Sequence, residues 1–281
     1  MHGRHSTTRP VLPCEFHCQV NNNIIMNTLK NIRSIAAALL AMSIIFLASC
    51  KKEEPEPGPQ TGTVNIELEH AWGPDYKPFA FNTQLIHPLT KDSITFTHLR
   101  YYISNIKLQR TDGSWWAQSE SYYLADASSA IGSMLALKDV PLGEYKALNF
   151  TIGVDSARNV SGAQTGALSP TNGMYWPWSG YIHIRAEGQS PTSPTKAFTY
   201  HIGGYSGADN AVRTVSFNFP NENLMCTANG TPQIHMKVNT ARFWHGGIRT
   251  ANLNTIHAPG PDAVTLANNF AGAFIVDHVH N

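Results

Sequence analysis

Histidine is the side chain through which this protein is best equipped to do chemistry. Ten of its thirteen histidines follow Cys50, and imidazole is a ligand that suits zinc, nickel and, above all, copper. His70 closes the alternating run Val64-Asn65-Ile66-Glu67-Leu68-Glu69-His70, in phase with three apolar residues at a strand end. A core histidine with a backbone partner and a metal ligand both fit that position. His201, in Tyr200-His201-Ile202-Gly203-Gly204, falls on the face opposite Phe198, Tyr200 and Ile202, just before a glycine turn. His183 shares a strand face with Tyr181 and Arg185. His278-Val279-His280 sets two imidazoles on one face, roughly 7 Å apart along a strand, a spacing that allows chelation if the segment is not frayed. His235 alternates with Ile234 and Met236 and reads as a solvent-facing strand residue, while His87, His98, His245 and His257 carry no pattern. Met174 and Met236 are softer donors expected to pack rather than to ligate.

The second conspicuous element is Gly173-Met174-Tyr175-Trp176-Pro177-Trp178-Ser179-Gly180-Tyr181. Trp176 and Trp178 share a side if the segment is extended, and Pro177 forbids a central-strand position. The segment reads as an aromatic plug at one end of a domain or as a platform for stacking sugars. No hydrolase elbow, phosphate loop, haem-attachment motif or zinc-ribbon pattern is present, and the acidic residues around Asp155 form no recognisable acid/base pair. The leading expectation is a binding protein and not an enzyme.

The elements that must position these residues are strands. Short alternating runs predict strands at Val64–His70, Ser93–Leu108 (with a kink at Ser104-Asn105), Ser121–Leu124, Gly143–Ile152, Tyr181–Glu187, Lys196–Ile202, Ala211–Asn218, Gln233–Asn239 and Ala273–His280. Asp112-Gly113 marks a turn, and Pro261–Asn269 a short helix that Asp262 could cap. Long Gly/Ser/Asn-rich loops at Ser156–Gly173 and Gly203–Asn210 are places where sites form. The expected fold is all-β, one β-sandwich over residues 62–281 with long loops. Only Cys226 remains after Cys50, so the core alone must hold the fold. Of the chain's 20 basic and 19 acidic residues, four and one precede Cys50, which leaves a formal charge of −2 on the rest. That balance argues against a nucleic-acid partner, which would demand a basic stripe.

The segment before this domain reads as an export signal. Met26 is the expected start, with residues 1–25 an upstream extension. Lys30 and Arg33 form a basic region, an apolar run follows from Ile35 to Ala48, and Leu47-Ala48-Ser49-Cys50 has the form of a lipobox, in which the Cys50 thiol is acylated. Residues 26–49 are then the signal peptide and 50–61 a lipidated tether, charged and Pro-rich. The expected location is the outer membrane, facing the periplasm or the surface, with the membrane itself a partner through the lipid.

Three stretches together resemble the MbnP-like family of copper-binding proteins, found beside methanobactin genes and elsewhere. The first is Leu99-Arg100-Tyr101-Tyr102-Ile103-Ser104-Asn105-Ile106. The second runs from Gly143-Glu144-Tyr145 through Phe150-Thr151-Ile152-Gly153-Val154-Asp155, with Asn159 soon after. The third joins Gly173-Met174-Tyr175-Trp176-Pro177-Trp178 and Gly180-Tyr181-Ile182 to Phe198-Thr199-Tyr200-His201-Ile202-Gly203. The resemblance implies an all-β envelope protein that binds copper through histidines near a tryptophan oxidised to kynurenine by a partner dihaem enzyme related to cytochrome c peroxidases. Carried onto this chain, it makes Trp176 and Trp178 the candidates for oxidation and His70 and His201 the leading copper ligands, expected to share one ion. His183 stands where the family is expected to have an apolar aromatic. His183, His278 and His280 complete the candidate ligands. The competing expectation is a surface carbohydrate-binding lipoprotein that uses Trp115-Trp116 or the Trp176/Trp178 pair.

Replacing Cys50 by Ser should abolish lipid labelling and release the protein from the membrane fraction. Unchanged labelling and fractionation would count against a lipoprotein.

Overall fold

The longest strand, Ser93–Arg110, is where the fold is decided. Tyr101, Tyr102 and Ile103 are consecutive and all essentially inaccessible, so this strand is covered on both faces. The expected kink at Ser104-Asn105 is present. Asn105 has a left-handed backbone with φ of 52°, and the pairing with Gly143–Ile152 shifts register between Ser104 and Lys107. A bulge of this kind moves every later side chain to the other face. That is why Leu99, Tyr101 and Ile103 before it, and Ile106 and Leu108 after it, all enter the same core.

The computed structural model describes residues 60–281. The expected signal peptide, the lipobox at Cys50 and the tether as far as Pro59 lie outside the described residues. Within them, two sheets face one another. In the larger, eleven-stranded sheet, Ser93–Arg110 lies between Gly143–Ile152 and Gly180–Gln189, and the order continues through Ala197–Gly203 to the short Thr255–Ile256. In the smaller, five-stranded sheet, Thr61–Trp72 pairs in parallel with Gln233–Asn239 and antiparallel with Met134–Pro141, while Phe274–His280 forms an edge beside Gln233–Asn239. Val64, Ile66 and Leu68 from the small sheet meet Tyr101, Ile103, Phe150 and Ile184 from the large one in a common core. The architecture is all-β, as the alternating runs predict.

A helix over Pro261–Ala271 closes one side of this core with Leu266 and Phe270. Pro261 takes its first position, so the N-cap residue is Gly260, which offers no side chain; Asp262, expected as the cap, lies inside the first turn. There its carboxylate faces the positive end of the helix dipole without bonding to it as a cap would.

A second, smaller apolar cluster covers the outer face of the large sheet. Tyr102, Val154, Leu168, Met174, Trp176, Tyr181 and Ile182 build it. The loop that supplies Leu168 and Met174 is more ordered than its composition suggests: it contains a one-turn helix at Ser156–Val160 and two 3-10 turns. Asp155 anchors it, accepting hydrogen bonds from Asn105 Nδ2 at 2.9 Å, Tyr122 Oη at 2.5 Å and the Arg158 amide at 3.2 Å. Burial pushes the Asp155 carboxyl up, but the bonds from Tyr122 and Asn105 outweigh it and hold the group ionised below its usual range. Asn159 then ties the loop to the next strand, donating to the Val154 carbonyl at 2.7 Å and accepting from the Tyr181 amide at 2.8 Å.

Phe270 stacks on Phe243 at 4.6 Å and meets Tyr101 edge-on at 5.1 Å. Phe270→Ala should therefore cost about 3–5 kcal/mol of unfolding free energy, measured by urea denaturation. A loss under about 1 kcal/mol would mean that the helix is not part of the core.

Candidate metal sites

The Trp176/Trp178 segment is a tight hairpin. Tyr175–Trp176 pairs with Gly180–Tyr181, and Pro177 sits in the connection, where its missing N–H costs nothing. The two indoles stack at 6.2 Å with 20° between planes, but their environments differ. Trp176 is buried in the outer cluster, whereas Trp178 is 73% exposed. Trp176 lies directly over Gly203: a Cβ there would come within 2.6 Å of the ring's Cζ3. Only glycine lets the strand pass under the indole.

That contact locates His201. Along Ala197–Gly203, Phe198, Tyr200 and Ile202 are buried inward, so His201 and Gly203 point outward together. His201 is thus on the Trp176 side of the sheet, two residues away. Its Nε2 is 2.6 Å from Glu187 Oε1, and its ring meets that of His257 edge-on at 5.0 Å. His257 follows the short strand Thr255–Ile256, which pairs in parallel with Thr199 and Tyr200. No local pattern marks His257, because only that pairing brings it alongside. Arg185 also binds Glu187, at 2.7 Å. Burial lowers the His201 pKa against the pull of Glu187, which favours the neutral imidazole that binds metals.

The structure separates His70 from this group. Tyr101, Ile184 and Ile202 are register partners facing the core, while Arg100, Arg185 and His201 are register partners facing out. His70 Nε2 lies 3.0 Å from Tyr101 Oη, inside the sandwich. His70, inside the sandwich, and His201, on the outer face, therefore lie on opposite sides of the large sheet, and a single ion cannot bind both. The expectation that strand ends would bring them together fails because His70 points into the sandwich while His201 points out of it.

His183 does not share a face with Arg185. The pairing to Ala197–Gly203 shifts between Ile182 and Ile184, and His183 occupies that bulge with no exposed surface. Its Nδ1 accepts from the Val154 amide at 3.2 Å, and Nε2 donates to the Gly204 carbonyl at 2.9 Å. Both nitrogens are spent on backbone groups, so none is left for a metal. Gly153, at φ of 110°, makes room for the ring; a Cβ there would sit 2.9 Å from Cγ.

His278 and His280 lie far along the small sheet's edge strand, with their Nε2 atoms 2.8 Å apart. His235, read from the sequence as merely solvent-facing, stands directly opposite His278. Met174 and Met236 are fully buried and pack, as expected.

A family model named MbnP matches residues 61–258. The chain belongs to the MbnP family. Among solved structures, MbnP from Methylosinus trichosporium matches with a TM-score of 0.48 and 15% identity, over 73% of this chain and 87% of that chain. No curated protein matches. The MbnP segment contains Trp176, Trp178, His201 and His257 and stops before His278 and His280.

The buried histidines give this MbnP family member a specific pH response. Burial lowers both His70 and His183 to about 4 from a usual 6.5. Unfolding restores the ordinary value, so below pH 6.5 the unfolded chain binds more protons than the folded one. Stability from these two groups is complete above pH 6.5 and is lost progressively as the pH falls to about 4. Denaturation midpoints should fall across that window, with a shallower slope in His183→Gln. A slope unchanged in that variant would mean that His183 is not held neutral.

Proposed function

We propose that this protein is a copper-binding envelope lipoprotein of metal capture or handling, and that His201 and His257, with Glu187 beside them, hold the ion next to Trp176 and Trp178. One observation carries the reading. Trp176, with Trp178 stacked on it, lies over Gly203 on the face of Ala197–Gly203 that carries His201, and a second imidazole abuts that of His201. Imidazole nitrogen with one carboxylate suits copper better than a hard cation such as calcium, which wants six or more oxygens.

Trp176 and Trp178 are the candidates for conversion to kynurenine. Trp178 is the one an external oxidant can reach, since it lies at the surface, and its stacking on Trp176 offers a route by which an oxidising equivalent passes inward. A dihaem enzyme related to cytochrome c peroxidases is the proposed partner. Lipid at Cys50 would anchor the protein in the outer membrane.

The carbohydrate reading retains one supporting observation, the exposure of Trp178. Trp115 and Trp116 do not add to it, because Trp115 is exposed whereas Trp116 packs against the core.

Copper titration of the whole chain, with the other candidate ligands His278 and His280 replaced by Gln, tests the site. His201→Ala with His257→Ala should weaken copper binding at this site by at least about 100-fold, beyond the usual loss from an outer-shell partner. His87→Ala should leave copper binding unchanged, since His87 is committed to the Ala241 carbonyl and Thr90. Intact mass after co-expression with the partner enzyme reads the tryptophan change. Full copper affinity in the double variant would overturn the ligand assignment, and a glycan signal indifferent to chelator would favour the carbohydrate reading.

A further inference from the structure

We propose that the outer face of the small sheet carries a second metal centre, in which His278 and His280 bind a divalent late first-row ion such as Zn(II) or Cu(II), with Asp277 orienting His278 and His235 flanking the pair.

A bulge builds this centre. Between Gln233–Asn239 and Phe274–His280, His235 pairs with His278 but the next pair is Met236 with Val276. Asp277 is the extra residue. A bulge re-aims side chains, and here Asp277 and His278 both come alongside His235: His235, Asp277 and His278 each offer a ligand atom within 4.8 Å of the others. The rings of His235 and His278 are 4.7 Å apart, and those of His278 and His280 4.4 Å apart.

The hydrogen bonds set which nitrogens of His278 and His280 face one another. His278 Nδ1 lies 2.8 Å from Asp277 Oδ2; that nitrogen carries the proton, because an ionised carboxylate only accepts. The His278 Nε2 lone pair then faces His280 Nε2 at 2.8 Å, a spacing that without a metal requires His280 to carry its proton there. An ion takes that proton's place when His280 shifts to its other neutral tautomer. The two nitrogens then part slightly to take up metal–nitrogen bonds of about 2.0–2.1 Å. A carboxylate on the far nitrogen of a ligating imidazole fixes its tautomer and raises its basicity. Lys237 in turn holds Asp277, at 2.9 Å.

His235 Nε2 is 3.0 Å from Glu69 Oε2, and its Nδ1 is 3.9 Å from Asp277 Oδ2. Glu69 and Asp277 against Lys237 leave an excess negative charge to meet a cation. Met236, beside this bulge, has its sulfur buried toward the core. An all-nitrogen-and-oxygen set with carboxylates at hand suits borderline divalent ions better than soft monovalent copper. His280 is exposed, which leaves the ion open to entry and exchange. His278 and His280 stand on the small sheet and His201 on the large one, so this centre is distinct from the copper site proposed above.

The test uses the whole chain, stripped of metal, in a His201→Ala/His257→Ala background that removes the other site. It should bind one Zn(II) per chain, and Cu(II) in its place should show nitrogen couplings in its electron paramagnetic resonance spectrum. His278→Gln with His280→Gln should abolish both, and Asp277→Asn should weaken Zn(II) about 10–100-fold without changing the far-UV circular dichroism. If the double Gln variant does not fold, diethyl pyrocarbonate footprinting of the parent replaces it, and Zn(II) should shield His278 and His280 from modification. The proposal is overturned if the background chain binds no Zn(II), if binding survives loss of both histidines, or if Zn(II) gives no shielding. None of these outcomes bears on copper at His201, which is read in the converse background, with His278 and His280 replaced by Gln.

Discussion

The fold depends on one strand that must be dry on both sides. Tyr101 and Tyr102 are consecutive, point to opposite faces, and are each fully buried. A sheet with a single core could satisfy one of them only. The inner face is covered by the small sheet and the Pro261–Ala271 helix. The outer face needs the loop after Val154, which folds back as a cap under Leu168, Met174 and Trp176. Burying a tyrosine ring on each side favours both layers, and the phenols find backbone or imidazole partners: Tyr102 donates to the Ala167 carbonyl, and Tyr101 meets His70. The Trp176/Trp178 hairpin is therefore a consequence of covering Tyr102, and its rigidity comes from Asp155 and Asn159, not from its own sequence.

Among the histidines, the count of uncommitted nitrogens separates structure from chemistry. His183 and His87 each spend both ring nitrogens on fixed partners. They behave as buried cross-links between segments. His70 spends one nitrogen on Tyr101 and is held neutral by burial. His201, His257, His278 and His280 face one another or carboxylates in pairs on outer faces. Such groups have little to gain for the fold by sitting together, since each would be as well solvated alone.

Three register shifts recur at the places that matter. One at Ser104–Lys107 redirects the long strand, one at Ile182–Ile184 internalises His183, and one at His235–Met236 brings forward Asp277. Each adds a residue to one strand only, so side chains that strict alternation would keep apart come to the same side, or are turned inward. A sheet without them would leave the same histidines scattered over two faces.

Much of this was legible from residue order alone. The strand boundaries at Gly143–Ile152 and Gln233–Asn239, the inward phase of His70, the outward phase of His201 and the kink at Ser104-Asn105 all follow from alternation and local backbone preference, which act between neighbours in the chain. The MbnP resemblance lay in three short motifs, and the family match bears it out. Pairing between strands is another matter. That Thr61–Trp72 runs parallel to Gln233–Asn239, that His257 lies against His201, that His70 and His201 lie on opposite sides of the large sheet, and that His235 meets His278 were decided by contacts between segments tens to well over a hundred residues apart. Such contacts are fixed by which apolar faces cover one another most completely. The bulges that set the final positions of His183 and Asp277 exist only relative to a partner strand, so no reading of one strand's pattern contains them.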